Sequence, residues 1–217
     1  MLIANVSPRT GGKTTDSGLL AHALQALKTT IAPNGRKVRG FDADHSRQFW
    51  QWSQSGEFPF PVELAASARF HKEYVLPADE IGIVDCGHSE NHPDITDSVL
   101  RVADLVILHM APTAADFERI VDPVDKTTLA DMIKRSAPLR ADGQPPRAVV
   151  LLNRTVANAS STKNYREEME GEGWDVLSTT IPRSETIAQA IGFPVVNASK
   201  GPFGALVLEL ETRGLLP

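Results

Sequence analysis

The chain has 217 residues, 41% of them hydrophobic and 23% charged, with a net charge of −5 and a pI near 5.7. Such a chain can bury a substantial core without disulfides, and Cys86, its only cysteine, excludes an intrachain bridge. The acidic balance argues against a surface coated in basic residues for nucleic acid. No apolar run approaches the roughly 18 residues that span a membrane, and the N-terminal apolar stretch is too short for a signal peptide. We therefore expect a cytoplasmic protein that does not bind a membrane.

The predicted elements alternate between strands and helices along the chain. Short runs rich in Val, Ile and Leu predict strands buried on both faces, as in a parallel sheet, over 2–6, 37–41, 81–85, 104–110 and 147–153. Amphipathic stretches predict helices over 14–30, 94–103, 115–136, 161–173, 184–192 and 203–214. Segments 56–63 and 137–147, rich in Pro and Gly, are interpreted as surface loops. The alternation predicts an α/β fold with a mostly parallel central sheet, formed by residues 1–217 as one domain.

The first strand-to-helix junction reads SPRTGGKTT over residues 7–15. A strand, a small-residue loop ending in Gly-Lys-Thr and a long helix are typical of a phosphate loop, in which backbone N–H groups and the helix N-terminus hold phosphates. Lys13 would neutralise the β- and γ-phosphates, and the Thr14 hydroxyl would bind Mg²⁺. The alternative is a Gly-rich turn that carries a surface lysine. A standard loop has glycine where this chain has Ser7.

Carboxylates stand at the ends of two further predicted strands. Residues 37–52 read KVRGFDADHSRQFWQW, so a strand ends in Asp42-Ala43-Asp44, before a helix that carries Trp50 and Trp52. Residues 81–87 read IGIVDCG, a hydrophobic strand that ends in Asp85. A carboxylate at such a strand end is the kind of ligand that a magnesium site beside a phosphate loop needs.

In this order and spacing, with DLVILHMAPT (104–113), VLLNR (150–154) and IPRSETIAQAIGFPV (181–195), the chain resembles the ParA/MinD family of deviant Walker ATPases, especially the small plasmid-partition proteins. The resemblance runs over nearly the whole chain. It implies a P-loop NTPase fold of the SIMIBI-like type, a three-layer sandwich. It also implies ATP and ADP as ligands, Mg²⁺ as cofactor, a nucleotide-dependent homodimer, non-specific DNA binding and a ParB-like centromere-binding partner.

The resemblance also implies roles for individual residues. Lys13 resembles the catalytic phosphate-binding lysine, Asp44 the carboxylate that positions the attacking water, and Asp85 the Walker B aspartate. The implied nucleotide contacts are Thr10, Gly11, Gly12, Lys13, Thr14, Thr15, Asn153, Arg154 and Pro182, with Asn153 against the adenine. The implied metal-binding residues are Thr14, Asp85 and Asp42.

The loop departs from the family pattern Lys-Gly-Gly-x-Gly-Lys-Thr-Thr, whose first lysine reaches across the dimer to the partner's phosphates. An ungapped alignment places the uncharged Pro8 at that position. If the loop is one residue shorter, Arg9 takes the role, and we prefer this alignment because arginine keeps the charge and grips phosphate in a bidentate manner. Arg9 and Thr10 then replace small residues, which reduces the backbone freedom of the loop.

Other features have competing interpretations. Cys86, His88 and His92 have a metal-like spacing, but the set lacks a clear fourth ligand, and a polar loop near the γ-phosphate is favoured. His109, in an apolar run, is interpreted as a hydrogen-bonded core histidine. The aromatic cluster Phe49, Trp50 and Trp52 suits packing on the sheet better than base stacking. Candidate DNA contacts are the basic residues Lys163, Arg166, Lys200 and Arg213, for which solvated helix faces are the default explanation.

We predict a ParA-like ATPase that slowly hydrolyses ATP to drive a dimerisation and DNA-binding switch in plasmid or chromosome segregation. One alternative is a biosynthetic enzyme of the same fold that activates a carboxylate with ATP, like dethiobiotin synthetase or cobyrinate a,c-diamide synthase. The second alternative is a relative with a degenerate loop that has lost hydrolysis or the nucleotide, and residues 7–10 motivate it.

Overall fold

A parallel sheet forms the centre of the computed structural model, which describes residues 1–9, 11–124 and 127–217. The strands are β1 (Leu2–Ser7), β2 (Lys37–Ala43), β3 (Val62–Leu64), β4 (Glu80–His88), β5 (Leu105–Met110) and β6 (Arg147–Leu152). Their spatial order is β3-β2-β4-β1-β5-β6, and every pairing is parallel. The predicted parallel sheet is confirmed.

Helices cover both faces of this sheet. They are α1 (Lys13–Ala26), α2 (Gln48–Ser55), α3 (Phe70–Glu73), α4 (Pro93–Leu100), α5 (Ala114–Val121), α6 (Leu129–Ser136), α7 (Ser160–Gly171), α8 (Glu185–Ala188) and α9 (Pro202–Thr212). Alternate strand residues point to opposite faces, so Ile3 and Ile107 pack with α1 and α9, whereas Ala4 and Val106 pack with α4 and α6. The predicted three-layer α/β sandwich is therefore confirmed.

Some element boundaries differ from the prediction. The helical stretch expected over 115–136 is two helices, α5 and α6, and Pro123 between them cannot donate a helical N–H. The second helix, α6, has Thr128 as its N-cap. Thr128 Oγ1 accepts from the Asp131 N–H over 3.0 Å, and the Asp131 carboxylate accepts in return from the Thr128 N–H. The segment expected as a helix over 184–192 has only α8, and the segment treated as a loop over 56–63 contains the start of β3.

The aromatic cluster after β2 packs inside the protein. Phe49 and Trp52 are fully buried, and a Cβ added at Gly18 of α1 would lie 2.2 Å from the Trp52 ring. The Trp52 indole N–H donates to the Phe193 carbonyl over 2.9 Å. The interpretation of this cluster as core packing is confirmed for these two side chains. In the described part of the chain, no helix has the length and apolar character needed to cross a bilayer.

The strand order decides where the site lies. β1 sits between β4 and β5, and β6 follows β5, so the carboxyl ends of these four strands share one edge of the sheet. Ligands of open α/β sheets bind outside this edge, where connections from a central strand diverge. The glycine-rich loop and Asn153 follow β1 and β6, and Asp85 lies three residues before the end of β4, which continues to His88 beyond the predicted strand end.

Candidate functional site

The turn between β1 and α1 leads directly into the N-terminus of a long helix. Gly12 has a left-handed φ of 83°, and α1 begins at the next residue. The first helical hydrogen bond runs from the Asp16 N–H to the Gly12 carbonyl over 3.0 Å. The N–H groups that precede it have no intrahelical acceptor, and together with the helix dipole they form an anion-binding terminus. Thr10, predicted in this loop, lies outside the described residues.

Lys13 folds back onto this turn. Its ammonium donates to Ser7 Oγ over 2.8 Å and to the Arg9 carbonyl over 3.0 Å, and the side chain is buried. Burial lowers the pKa of Lys13, and the nearby Asp85 carboxylate opposes that shift. In this conformation two of the three ammonium N–H donors are engaged within the loop, so these two contacts compete with a phosphate for the lysine.

The strand-end carboxylates lie side by side, because the register of β2 and β4 pairs Asp42 with Asp85. Asp85 accepts a hydrogen bond from Ser17 Oγ over 3.3 Å, and it is also hydrogen-bonded to the Thr14 side chain. Burial raises the pKa of Asp85 to about 7, and Lys13 works against that rise. The Thr14 hydroxyl and the Asp85 carboxylate are adjacent oxygen donors, which fits the donor set that Mg²⁺ requires.

Asp42 is engaged differently from Asp85. Its carboxylate accepts from the Asp44 N–H over 3.1 Å and from the Trp50 N–H over 2.8 Å, so it caps the first turn of α2. Burial raises the pKa of Asp42 to about 6. Asp44 is half-buried, and its Oδ1 is 3.2 Å from the point where a Cβ on Gly87 would stand. Asp44 also acts electrostatically on both Lys13 and Asp85, which places the three charges in one cluster.

A cleft of about 710 Å³ opens beside the helix terminus. This volume lies within the range of small-molecule sites. Five of the predicted nucleotide contacts line it: Gly12, Thr15, Asn153, Arg154 and Pro182. Asp16, Asp116 and Ile187 are among the other lining residues. The structure therefore brings these five residues to one cavity, whereas Gly11, Lys13 and Thr14 and the carboxylates of Asp42, Asp44 and Asp85 are not among its lining residues.

Asn153 joins the loop to the far wall of this cleft. Its amide nitrogen donates to the Gly11 carbonyl over 2.7 Å and to Asp16 Oδ2 over 2.6 Å, while its Oδ1 accepts from the Arg154 N–H over 2.7 Å. A Cβ added at Gly12 would lie 2.7 Å from that amide nitrogen, so only glycine fits there. Pro182 is held by a parallel bridge to Thr155.

Arg9 lies outside the cleft. Its Nε is 2.6 Å from Glu90 Oε2, and its side chain is 57% exposed. Arg9 and Glu90 line a separate cavity of about 580 Å³ with residues of α5. At this exposed position the guanidinium could contact another molecule if its ion pair with Glu90 breaks.

A buried polar chain beneath the loop was missed from the sequence. His109 Nδ1 lies 2.9 Å from Asp16 Oδ2, and His109 Nε2 lies 2.9 Å from Asn5 Oδ1. Asn5 in turn donates to Ser17 Oγ over 2.8 Å. The interpretation of His109 as a hydrogen-bonded core histidine is confirmed. The signal was present in the sequence, since Asn5 and His109 interrupt two otherwise apolar strands.

The remaining candidates are dispersed or engaged. Among the described residues, no group of three His, Cys, Asp or Glu side chains is placed to hold a metal ion. Cys86 is buried in β4, where burial raises the pKa of its thiol. Arg166 donates to the Leu177 carbonyl over 2.6 Å, Arg213 is paired with Asp175, and Lys163 is 3.7 Å from Glu167. Lys200 lies exposed in a 3-10 turn.

No protein-family model matches the chain, and no curated protein matches its sequence. Solved structures do match it over nearly its whole length. A proposed plasmid partition protein from Borrelia burgdorferi, bound to AMPPNP, is 13% identical, with a TM-score of 0.70 and 98% of each chain covered.

Two further matches are bound to nucleotide and magnesium. The septum site-determining protein MinD from Pyrococcus horikoshii, complexed with Mg-ADP, is 20% identical, with a TM-score of 0.59 and coverage of 99% of this chain and 96% of that chain. Cobyrinic acid a,c-diamide synthase from Mycobacterium smegmatis, with bound ADP and magnesium, is 15% identical, with a TM-score of 0.62 and coverage of 98% and 96%. At these identities the likeness establishes the fold, and the chain therefore has the fold of the ParA/MinD-type P-loop ATPases.

Proposed function

We propose that the chain is a ParA-like ATPase that binds and slowly hydrolyses ATP to switch a homodimer on and off DNA. One observation carries the proposal: the helix terminus at Gly12, the base-side residue Asn153 and the Pro182 wall line a single cleft of about 710 Å³. The cleft therefore joins the N-terminus of α1, which favours anions, to the residues that we assign to the base. The nucleotides named for the structural neighbours, AMPPNP and Mg-ADP, support the same ligand class.

The chain's own residues supply each part of the hydrolysis. Lys13 and the first N–H groups of α1 hold the phosphates. Thr14 and Asp85 would hold Mg²⁺, which would neutralise charge on the phosphates. Asp44 orients water for in-line attack on the γ-phosphorus, and Arg9 from the partner subunit stabilises the charge that develops.

The test is a calorimetric titration of ATP and ADP, with Mg²⁺, into the wild type and Lys13→Ala. Lys28→Ala is the matched control, because Lys28 is an exposed lysine just beyond the other end of α1. We expect binding to the wild type and the control, and a loss of at least tenfold in Lys13→Ala, as removal of a charged phosphate contact implies. Absence of binding to all three proteins would show that the loop is closed to nucleotide and would support the degenerate relative.

The DNA and partner functions need their own experiment. Arg166 and Arg213 are held by contacts within the chain, so any DNA surface depends on dimer formation or on other cations. We expect size-exclusion chromatography to show a dimer with ATP and a monomer without it. We expect retention on non-specific DNA only in the ATP state, and stimulation of turnover by a ParB-like protein. Equal DNA binding with and without ATP would contradict the proposed switch.

A second candidate is favoured by the likeness to cobyrinic acid a,c-diamide synthase. In that case the chain would use ATP to phosphorylate a carboxylate instead of hydrolysing the ATP. An acyl phosphate is trapped by hydroxylamine as a hydroxamate. Hydroxamate formation that depends on an added carboxylic acid, without ATP-dependent DNA binding, would replace the first proposal by the second.

A further inference from the structure

The buried polar chain beneath the loop ends on Asp85, the predicted magnesium ligand. Asn5 and Asp85 are direct partners in the register of β1 and β4, and both contact Ser17 of α1. The Asn5 amide nitrogen donates to Ser17 Oγ over 2.8 Å, and Ser17 Oγ lies 3.3 Å from Asp85 Oδ1. All three side chains are at most 1% exposed. The protein, rather than water, therefore sets the direction of each hydrogen bond here.

The Ser17 hydroxyl has one hydrogen to give. Because Asn5 presents an N–H to Ser17 Oγ, that oxygen accepts from Asn5, and its own hydrogen is left for Asp85. Serines within helices often turn this hydrogen to the carbonyl one turn earlier. In the described part of the chain, however, the Ser17 hydroxyl is hydrogen-bonded only to Asn5 and Asp85. Ser17 therefore serves as a donor to the Asp85 carboxylate.

The orientation of the Asn5 amide is set from its other end by His109. His109 Nε2 lies 2.9 Å from Asn5 Oδ1, and His109 Nδ1 lies 2.9 Å from Asp16 Oδ2. Because an amide oxygen only accepts, Nε2 carries the hydrogen of this contact. A reversed amide would place its N–H groups against that hydrogen and its oxygen against Ser17. The Ser17 hydrogen would then turn to Asn5, and Asp85 would lose its donor.

Asp85 depends on this donor more than its neighbour does. Asp42, the adjacent carboxylate, is held by two backbone N–H groups. Among the described residues, the Asp85 side chain is hydrogen-bonded only to Ser17 and to Thr14, which is itself a predicted magnesium ligand. Groups that hydrogen-bond to metal ligands orient them, and their loss costs about 10–100-fold in metal affinity. Ser17 is therefore the one partner of Asp85 in this set that is free of a metal role.

We propose that Asn5 is a positioning residue for the predicted magnesium site: held by His109, it directs the Ser17 hydroxyl to donate to Asp85. This role rests on the proposed nucleotide site. The hydrogen bonds act on the Asp85 carboxylate and not on the nucleotide. They should therefore change the gain in nucleotide affinity that Mg²⁺ provides, and leave binding without the metal nearly unchanged.

The test measures how much Mg²⁺ tightens the binding of ADP, which requires no turnover. Calorimetric dissociation constants are determined with EDTA and with Mg²⁺, and their ratio is called the magnesium factor. We expect a factor of at least about tenfold in the wild type, and a fall below about threefold in two variants. Ser17→Ala removes the donor to Asp85. Asn5→Asp keeps the shape and the contact with His109, but its carboxylate can only accept, so it takes the Ser17 hydrogen.

A double variant separates this role from a simple effect of charge, because Asn5→Asp also adds a negative charge beside the site. If Asn5 acts through Ser17, adding Asn5→Asp to Ser17→Ala should change the magnesium factor by less than about twofold. Ser136→Ala is the matched control, since Ser136 is a buried serine of α6 whose hydroxyl donates to the Ile133 carbonyl over 2.7 Å. It should keep the wild-type factor. If circular dichroism shows that Asn5→Asp does not fold, Asn5→Ala replaces it, with the same direction expected.

The outcomes separate the two proposals. A wild-type magnesium factor kept by Ser17→Ala, or a further loss when Asn5→Asp is added to it, would overturn the role of Asn5 while leaving the ATPase proposal intact. Equal ADP binding by the wild type with Mg²⁺ and with EDTA would overturn this role together with the magnesium assignment of Asp85. A wild type that does not bind ADP in either condition would overturn the ATPase proposal itself.

Discussion

The Lys13 ammonium donates to Ser7 Oγ over 2.8 Å, which ties the phosphate-binding lysine to the residue that replaces the first glycine of a standard loop. This contact competes with a phosphate for the same donor. The departure from the standard motif therefore has a defined physical effect, an acceptor inside the loop.

Ser7→Ala should tighten nucleotide binding. It removes one acceptor from Lys13, and a net hydrogen bond of about 1 kcal/mol corresponds to about a fivefold lower Kd for ATP. Ser89→Ala is the control, because Ser89 is a buried neighbour whose hydroxyl contacts the Ser7 carbonyl but not Lys13. Weaker binding in Ser7→Ala, with Ser89→Ala unchanged, would mean that the serine supports the loop rather than competes with phosphate.

Arg9→Ala should lower steady-state turnover at least tenfold while changing the ATP affinity of the monomer less than threefold, as a charge that acts across subunits in the transition state implies. Arg9 lies outside the cleft and meets Glu90 at 2.6 Å. Glu90→Gln, which frees the guanidinium, should keep turnover. Equal losses of turnover and monomer affinity in Arg9→Ala would contradict the cross-subunit role.

Gly12→Ala should destabilise the protein more than Gly173→Ala does. The two glycines have nearly equal φ values, 83° and 84°, so a Cβ strains both backbones by about 1–2 kcal/mol. At Gly173 nothing lies within 4 Å of the added Cβ, but at Gly12 the Asn153 amide nitrogen is 2.7 Å away. Urea denaturation should show an extra loss of about 1–3 kcal/mol in Gly12→Ala. Equal losses would show that Asn153 moves aside freely.

Asp42→Asn should lower the free energy of unfolding by about 1–2 kcal/mol, the usual effect of losing a helix N-terminal acceptor. Its Oδ1 accepts from the Asp44 N–H and its Oδ2 from the Trp50 N–H, and an amide keeps only one of these two oxygens. Thermal or urea unfolding measures this loss. The magnesium dependence of ATP binding, measured on the same variant, decides whether Asp42 also serves the metal: an unchanged dependence would contradict the predicted metal role.

The contribution of Asp85 to stability should fall as the pH rises. Its pKa is about 7 in the fold against about 3.9 in an unfolded chain, so the folded state binds the extra proton between these values. Its contribution is complete below pH 4 and declines through pH 7, by up to about 4 kcal/mol at 1.36 kcal/mol per unit. The difference in unfolding free energy between the wild type and Asp85→Asn, without Mg²⁺, isolates this effect from the histidines. A difference that is flat between pH 4 and pH 8 would contradict it.

Much of the fold could be predicted from the sequence, because five strands are short, mainly apolar runs of the kind that a parallel sheet covered on both faces buries. β3 was not predicted because it has only three residues, its side chains are partly exposed and a proline precedes it. The break near Pro123 was hidden by a helical pattern that continues on both sides. Such boundaries depend on local capping at Thr128 rather than on hydrophobic periodicity.

The candidate site divides in the same way. A motif points to Lys13, Thr14 and Asp85, and the roles assigned to them stay predictions. The contacts of Asp16 with His109 and Asn153 could not be predicted, because they join residues 93 and 137 positions apart through the sheet register. The intrachain pairs of Arg9 and Arg213 also depend on packing that spacing alone does not encode.

The central place of β1 has a consequence for the order of assembly during synthesis. The first strand made pairs with β4 and β5, which begin at Glu80 and Leu105, so it has no sheet neighbour until about two-fifths of the chain exists. The Gly11 carbonyl gains its hydrogen bond from Asn153 only later, when that residue has been synthesised. Non-local pairing of this kind slows folding and leaves apolar edges exposed to aggregation. A nascent chain stalled before β5 would therefore carry the whole Gly-Gly-Lys-Thr segment without a formed pocket and would depend on chaperones for its solubility.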